Sequence, residues 1–100
     1  MSKPSAKPAK LAVRWSAKAQ HSLEQTLAHI NAQDESAGRL VLQRLQVALD
    51  LIAIQPHIGT PTNRRRSRRF PVPKTGHTID YRVEQSEILV LRWMRQRRKS

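Results

Sequence analysis

The densest chemistry in the chain is Arg64-Arg65-Arg66-Ser67-Arg68-Arg69, five guanidinium groups in six residues. A guanidinium binds carboxylate or phosphate through paired, fork-like hydrogen bonds that a lysine does not reproduce. Like charges this close repel, so the run implies an anionic partner. Acid–base chemistry is harder to assemble. The imidazoles of His57 and His77 are able in principle to move protons, but neither has a recognisable second member. No Asp or Glu lies between Ile54 and Arg69 to serve as a carboxylate base. The residue types favour binding over bond breaking. Cysteine is absent, which excludes disulfides and thiolate metal sites, and neither a metal nor a cofactor is expected.

A formal net charge of +12 and an isoelectric point near 11.7 point to nucleic acid, an anionic lipid surface or an acidic protein as partner. The charge is uneven. Five basic residues fall in Lys3 to Lys18, five in Arg64 to Arg69 and five in Arg92 to Lys99, so fifteen of nineteen avoid the helical middle. If these segments meet in space they form one positive surface. Two Trp, one Tyr and one Phe are too few for a base-stacking platform as well as a core. No apolar run reaches membrane-spanning length, and the early apolar stretch is interrupted by Arg14 before it could act as a secretion signal. A cytoplasmic protein without a membrane partner is expected. One hundred residues make one domain, with a flexible basic arm expected at 1–9 and a basic tail at 97–100.

The elements that position these groups follow from periodicity. Leu11, Val13 and Trp15 alternate with Ala12 and Arg14, which predicts a short strand. Ser16 is an N-cap for a helix to about Gln33, although Ala19 stands where a capping-box acid belongs. Ala19, Leu23, Leu27 and Ile30 are its buried stripe. A second helix begins after Asp34 or Ser36 and ends near Ile54, because Gln55 precedes Pro56. It carries two apolar lines: Ala37, Val41, Leu45, Ala48 and Ile52, and then Leu40, Val47, Leu51 and Ile54. Burial between the first helix and the sheet explains most of this surface, and a partner covering what stays exposed explains it equally well.

Pro56, Gly59, Pro61 and Asn63 make a turn-rich connection that delivers the arginine run to Phe70-Pro71-Val72-Pro73, an edge or irregular strand because proline lacks the ladder donor. Ile79, Tyr81 and Val83 alternate with Thr78, Asp80, Arg82 and Glu84. After a tight hairpin at Gln85-Ser86, strict alternation puts Leu89, Leu91 and Trp93 on one face and Ile88, Val90, Arg92 and Met94 on the other. If the helices cover Ile79, Tyr81 and Val83, then Arg82 points away from them, and Arg14 and Arg92 can do likewise. Cross-strand ion pairs with Asp80 or Glu84 compete with ligand contact for these arginines.

Taken in order, Trp15-Ser16 before an alanine-containing helix, Gln55-Pro56-His57-Ile58-Gly59, Tyr81-Arg82-Val83-Glu84, and Ile88-Leu89-Val90-Leu91-Arg92 with a basic tail resemble the RelE/ParE toxin superfamily. The resemblance spans about residues 10–98, the whole of the expected domain at 10–96 and the start of the tail. It implies an α+β fold, two helices on one face of an antiparallel sheet of about four strands in the order β-α-α-β-β-β. It also implies a growth-inhibiting toxin of a plasmid-stabilisation type, neutralised by a cognate antitoxin.

The superfamily contains two mechanisms. RelE-like members cleave messenger RNA on the ribosome, which requires a base, cations that stabilise a phosphorane, and an acid. One cleaving group carries arginine where this chain has Thr78, and a functional histidine or tyrosine where it has Met94, Arg95 and Gln96. Lys74, Arg82 and Arg95 imitate the lysine–arginine sets of other cleaving toxins and are the alternative catalytic reading. ParE-like members poison DNA gyrase, and the last strand with its short basic end looks closer to them. The resemblance thus implies a gyrase-binding toxin with no catalytic residues. Its target-binding residues are expected at Arg64, Arg65, Arg66, Arg68, Arg69, Arg82, Arg92, Arg95, Arg97 and Arg98. An acidic antitoxin is expected on Leu40, Val47, Leu51, Ile54 and Phe70. With no helix-turn-helix signature in the chain, operator DNA is reached only through the antitoxin.

Overall fold

The computed structural model describes residues 10–96. The arm expected at 1–9 and the tail expected at 97–100, with Arg97 and Arg98, lie outside the described residues. Strand β1, Ala12–Trp15, leads directly into helix α1, Ala17–Asn31. Ser16 makes that corner: its hydroxyl accepts the Ala19 N–H at 3.0 Å and donates to the Leu91 carbonyl at 3.2 Å. The missing capping-box acid is therefore offset by a tertiary bond to the sheet. Helix α1 stops two residues short of the expected end, since the Gln33 and Asp34 amides both turn back to the Ile30 carbonyl. Asp34 then caps α2, Glu35–Ile54, by accepting from the Ser36 amide and hydroxyl at 3.0 and 2.8 Å.

Both helices lie on one face of the sheet, as their stripes require. Ala19 is fully buried, with Leu23, Leu27 and Ile30 packed around it. Val41, Leu45, Ala48, Leu49 and Ile52 are the buried line of α2, whereas Leu40, Val47 and Ile54 are exposed. Ile52, Ile79 and Ile88 are completely enclosed, and each contributes roughly 1.5–3 kcal/mol.

The sheet has five strands in the order β1-β5-β4-β3-β2. Strands β3 (Ser67–Val72), β4 (His77–Val83) and β5 (Glu87–Arg95) pair antiparallel. A two-residue strand β2, Thr60–Pro61, adds to β3 opposite Arg68 and Arg69. It leaves Phe70 and Pro71 unpaired on that side, which is how the strand tolerates its proline. Strand β1 pairs with β5 in parallel, so the sheet is mixed. A long connection permits this, because the whole fold lies between the two strands.

Strict alternation fails in β5. The register moves from Asp80 opposite Arg92 to Tyr81 opposite Val90, which leaves Leu91 as a bulged extra residue. Ile88 and Val90 consequently share the helix-covered face with Trp93, instead of facing away from it, and Leu89 departs from Trp93. Arg92 and Met94 keep to the outer face.

Tyr81 fixes the connection after α2. Its phenol is fully buried, donates to the Pro56 carbonyl at 2.8 Å and accepts the Gly59 N–H at 2.9 Å. Burial pushes its pKa up and so holds the proton that the Pro56 bond needs. A Cβ on Gly59 would lie 2.7 Å from the phenol oxygen and 3.0 Å from the Arg69 carbonyl.

Two substitutions test this clamp by urea denaturation. Tyr81→Phe leaves one buried donor and one buried acceptor unpaired and should cost about 1–3 kcal/mol. Gly59→Ala overpacks the same point and should lose a similar amount, roughly 1–3 kcal/mol.

Candidate functional site

Cross-strand partners share a face, so the register lays out the helix-free surface row by row. One row reads Arg14, Leu89, Arg82 and Ser67, and the next reads Arg92, Asp80, Arg69 and Thr60. Thr78, Met94 and Pro71 follow. Arg14, Arg82 and Arg92 thus point away from the helices as expected.

Most of these arginines are already engaged. Arg14 reaches Glu87 at 2.7 and 3.0 Å, and this hydrogen bond holds the Glu87 carboxyl below its ordinary range. Arg82 pairs with Glu84 at 2.7 Å. Arg69 grips both oxygens of Asp80, Nε to Oδ1 at 2.7 Å and Nη2 to Oδ2 at 3.0 Å. Asp80 is only 1% exposed, and a carboxylate so enclosed requires such a partner. The hydrogen bond to Asp80 in turn raises the Arg69 pKa further. Among the described residues, no carboxylate pairs with Arg64, Arg65, Arg66, Arg92 or Arg95.

The arginine run is divided by its strand. Arg68 stands opposite Tyr81 and Arg69 opposite Asp80, so the two side chains leave β3 on opposite faces. Arg68 donates from Nη1 to the His57 and Gly59 carbonyls at 3.1 and 2.7 Å, reinforcing the Tyr81 clamp. Arg64, Arg65 and Arg66 occupy the turn between β2 and β3. That turn is pinned by Thr62: its amide donates to the Ser67 carbonyl, its hydroxyl accepts the Arg64 amide at 3.0 Å and lies 2.8 Å from the Ser67 hydroxyl. Arg66 has φ +58, in the left-handed region.

A concavity of about 960 Å³ opens on the outer face between the β2 loop and the end of β5. Asn63, Arg69, Thr78, Arg92, Met94 and Arg95 contribute to its walls. The alternative catalytic residues do not converge there. Lys74 sits in the β3–β4 turn and Arg95 opposite His77 at the same end, whereas Arg82 lies five residues along β4, about 16 Å away at strand rise. His77 stacks on Trp93 with ring centroids 4.7 Å apart, on the helix-covered side, and His57 lies on the loop held by Arg68. The two imidazoles are not partners.

On the other side of the molecule, α2 and β3 enclose an apolar groove of about 490 Å³ lined by Val47, Leu51, Phe70 and Pro73. Three of the five expected antitoxin contacts meet there, and Leu40 and Ile54 continue the same exposed line along α2. Arg44, at the groove, was not singled out from sequence. Its guanidinium donates to the Lys74 carbonyl at 3.1 Å, a contact between residues thirty positions apart that no local pattern reveals. Among the described residues no cluster of His, Asp and Glu could hold a metal, and no helix is long and apolar enough to cross a membrane.

Residues 13–99 match the family described as ParE toxin of type II toxin-antitoxin system, parDE. A protein of Sinorhizobium fredii named "Putative toxin Y4kP" is 29% identical over 80 residues, covering 79% of this chain and 83% of its own. The fold is similar to that of a chain from the chromosomal ParDE system of P. aeruginosa, with a TM-score of 0.75 at 18% identity over 88% of this chain and 98% of that one. It is also similar to the solution structure of the conserved hypothetical protein HP0894 from Helicobacter pylori, with a TM-score of 0.55 at 19% identity over 85% and 93% of the two chains.

Removing the partner of an enclosed carboxylate should be the most damaging arginine change. Arg69→Ala is expected to cost about 3 kcal/mol in urea denaturation, the low end for a broken buried pair because the Arg69 side chain is 50% exposed. Arg92→Ala, which breaks no ion pair, should stay within about 0.5 kcal/mol of the parent.

Proposed function

The chain belongs to the ParE family of toxins from type II toxin–antitoxin systems, and on that premise we propose that it inhibits DNA gyrase by binding, without chemistry of its own. One observation carries this reading: of the alternative catalytic residues Lys74, Arg82 and Arg95, Arg82 is engaged by Glu84 and lies about 16 Å along β4 from the end that holds the other two, while Arg14 and Arg69 are engaged by Glu87 and Asp80. What is left for a target is unpaired charge at the two ends of the sheet, Arg64 to Arg66 at one and Arg92 with Arg95 at the other. Such charge attracts and orients a partner over long range, and its bidentate contacts add specificity.

The concavity beside Arg69, Arg92 and Arg95 favours the second reading, a ribosome-dependent cleavage of messenger RNA. Against it stands the lack of a convergent acid and base. Purified protein assayed in parallel for gyrase supercoiling and for ribosome-dependent message cleavage separates the two. Inhibition of supercoiling without cleavage is expected, and activity in the second assay alone overturns the proposal.

The cognate antitoxin is proposed to be acidic and to lay an amphipathic segment into the groove between α2 and β3, burying Val47, Leu51 and Phe70 while its carboxylates meet the basic surface. Operator DNA is then bound by the antitoxin of the complex. Val47 is 69% exposed, so Val47→Glu should leave folding intact. The variant should weaken antitoxin binding at least tenfold, about 1.4 kcal/mol, and remain toxic in cells that carry the antitoxin.

A further inference from the structure

We infer that the turn Arg64–Arg66 is a grip for the phosphodiester backbone of duplex DNA, indifferent to base sequence. This deepens the gyrase reading, on which it rests only for the source of the DNA, the duplex held by the enzyme.

Arg66 is the centre of the argument. It holds a left-handed backbone, φ +58, where glycine or asparagine would be unstrained. Lys74 in the β3–β4 turn shares that backbone region at φ +61, so what sets Arg66 apart is its place between two clefts. Arg66 also borders both clefts that flank the turn. One, about 460 Å³, is lined by Arg65, Arg66, Arg82 and Glu84. The other, about 350 Å³, takes in Arg64, Arg66, Arg68 and His57.

The turn is rigid while its side chains are free. Thr62 and Ser67 fix the backbone through the Thr62–Ser67 hydroxyl contact at 2.8 Å and the Arg64 amide. Among the described residues, no side-chain hydrogen bond engages the guanidinium of Arg64, Arg65 or Arg66, in contrast to Arg14, Arg68, Arg69 and Arg82. Three guanidinium groups are thus presented from a fixed base.

The surroundings choose between anions. At a protein partner an arginine anchors through a packed surround that excludes water, yet Pro61 and Val83 are the only apolar side chains among the residues lining either cleft. The large exposed hydrophobic residues Leu40, Leu42, Val47, Ile54 and Ile58 belong instead to α2 and the residues just after it. Nucleic acid needs no such anchor: each strand offers a negative charge about every 3.4 Å along the axis, and neutralising it releases counterions. Neither a helix nor a strand of the turn can enter a groove, so the contact positions the protein without reading bases.

Fluorescence anisotropy of the full chain on a labelled duplex of random sequence, at salt between about 50 and 200 mM, tests the grip. R64Q/R65Q/R66Q should weaken binding at least tenfold and reduce the slope of log K against log salt by about 2–3, near 0.9 per lost phosphate contact. K18Q/R39Q/R44Q removes equal charge from the helices and should change affinity less than threefold. R66G, which relieves the left-handed backbone, should melt no lower than the parent while its slope falls by about 1, which separates lost contact from lost folding. Equal weakening by the two triple variants, unchanged binding by the turn variant, or more effective displacement by polyglutamate than by unlabelled duplex would each overturn the inference. Gyrase is absent from this assay. A failure here leaves the gyrase reading standing, and a failure to inhibit supercoiling leaves the DNA grip standing.

Discussion

The buried phenol of Tyr81 is the constraint on which the rest of the arrangement depends. Its two hydrogen bonds, to the Pro56 carbonyl and from the Gly59 amide, hold the chain as it leaves α2 against the middle of β4. Arg68 tightens the same loop from β3 by binding the His57 and Gly59 carbonyls. The loop held there runs into β2 at Thr60, which pairs with Arg69 of β3, and β3 pairs in turn with β4. That register brings Arg69 opposite Asp80, the one acid sealed into the sheet. A single inward side chain thus determines which arginine is paired on the outward face one residue away.

The distribution of charge follows from this geometry rather than from composition. Fifteen of nineteen basic residues avoid the helical middle, but among the described residues the fold does not merge them into one positive surface. Carboxylates on β4, on β5 and on the loop between them neutralise the centre of the sheet through Asp80, Glu84 and Glu87. Unpaired cations remain at the β2–β3 turn and near the end of β5. The apolar groove lies on a different side again, between α2 and β3. An acidic partner in the groove and an anionic target at the turn could therefore compete through charge without sharing a single apolar contact.

Local signals were legible in the sequence wherever one element determined them. Ser16 and Asp34 cap the helices as their residue types suggest, Gln55 before Pro56 ends α2, and the two apolar lines of α2 separate into buried and exposed. Two of the residues expected to meet the antitoxin share one groove because helical period alone aligns Val47 with Leu51, and the third, Phe70, joins them from β3. What was not legible depends on register. The bulge at Leu91 carries no glycine or other local marker, yet it turns Ile88 and Val90 inward. The split of Arg68 from Arg69, and the choice of Arg69 over Arg82 as the partner of Asp80, require knowing which residues stand opposite one another. Adjacent arginines look equivalent in a sequence, and a strand makes them opposites.

The parallel pairing of β1 with β5 joins Ala12 to Glu87 and Trp15 to Val90. On the ribosome, β1 emerges early and has no strand beside it until β5 follows. Ile88, Val90 and Trp93, which complete the core, arrive in that same last segment. The nascent chain can form its helices but cannot close its sheet, because contacts this distant in sequence form only after the intervening loop has been ordered. Cooperative folding accordingly waits until β5 has been made, and the domain acquires its finished surfaces in one late step, which gives an antitoxin already present in the cell the whole period of elongation before then in which to be waiting.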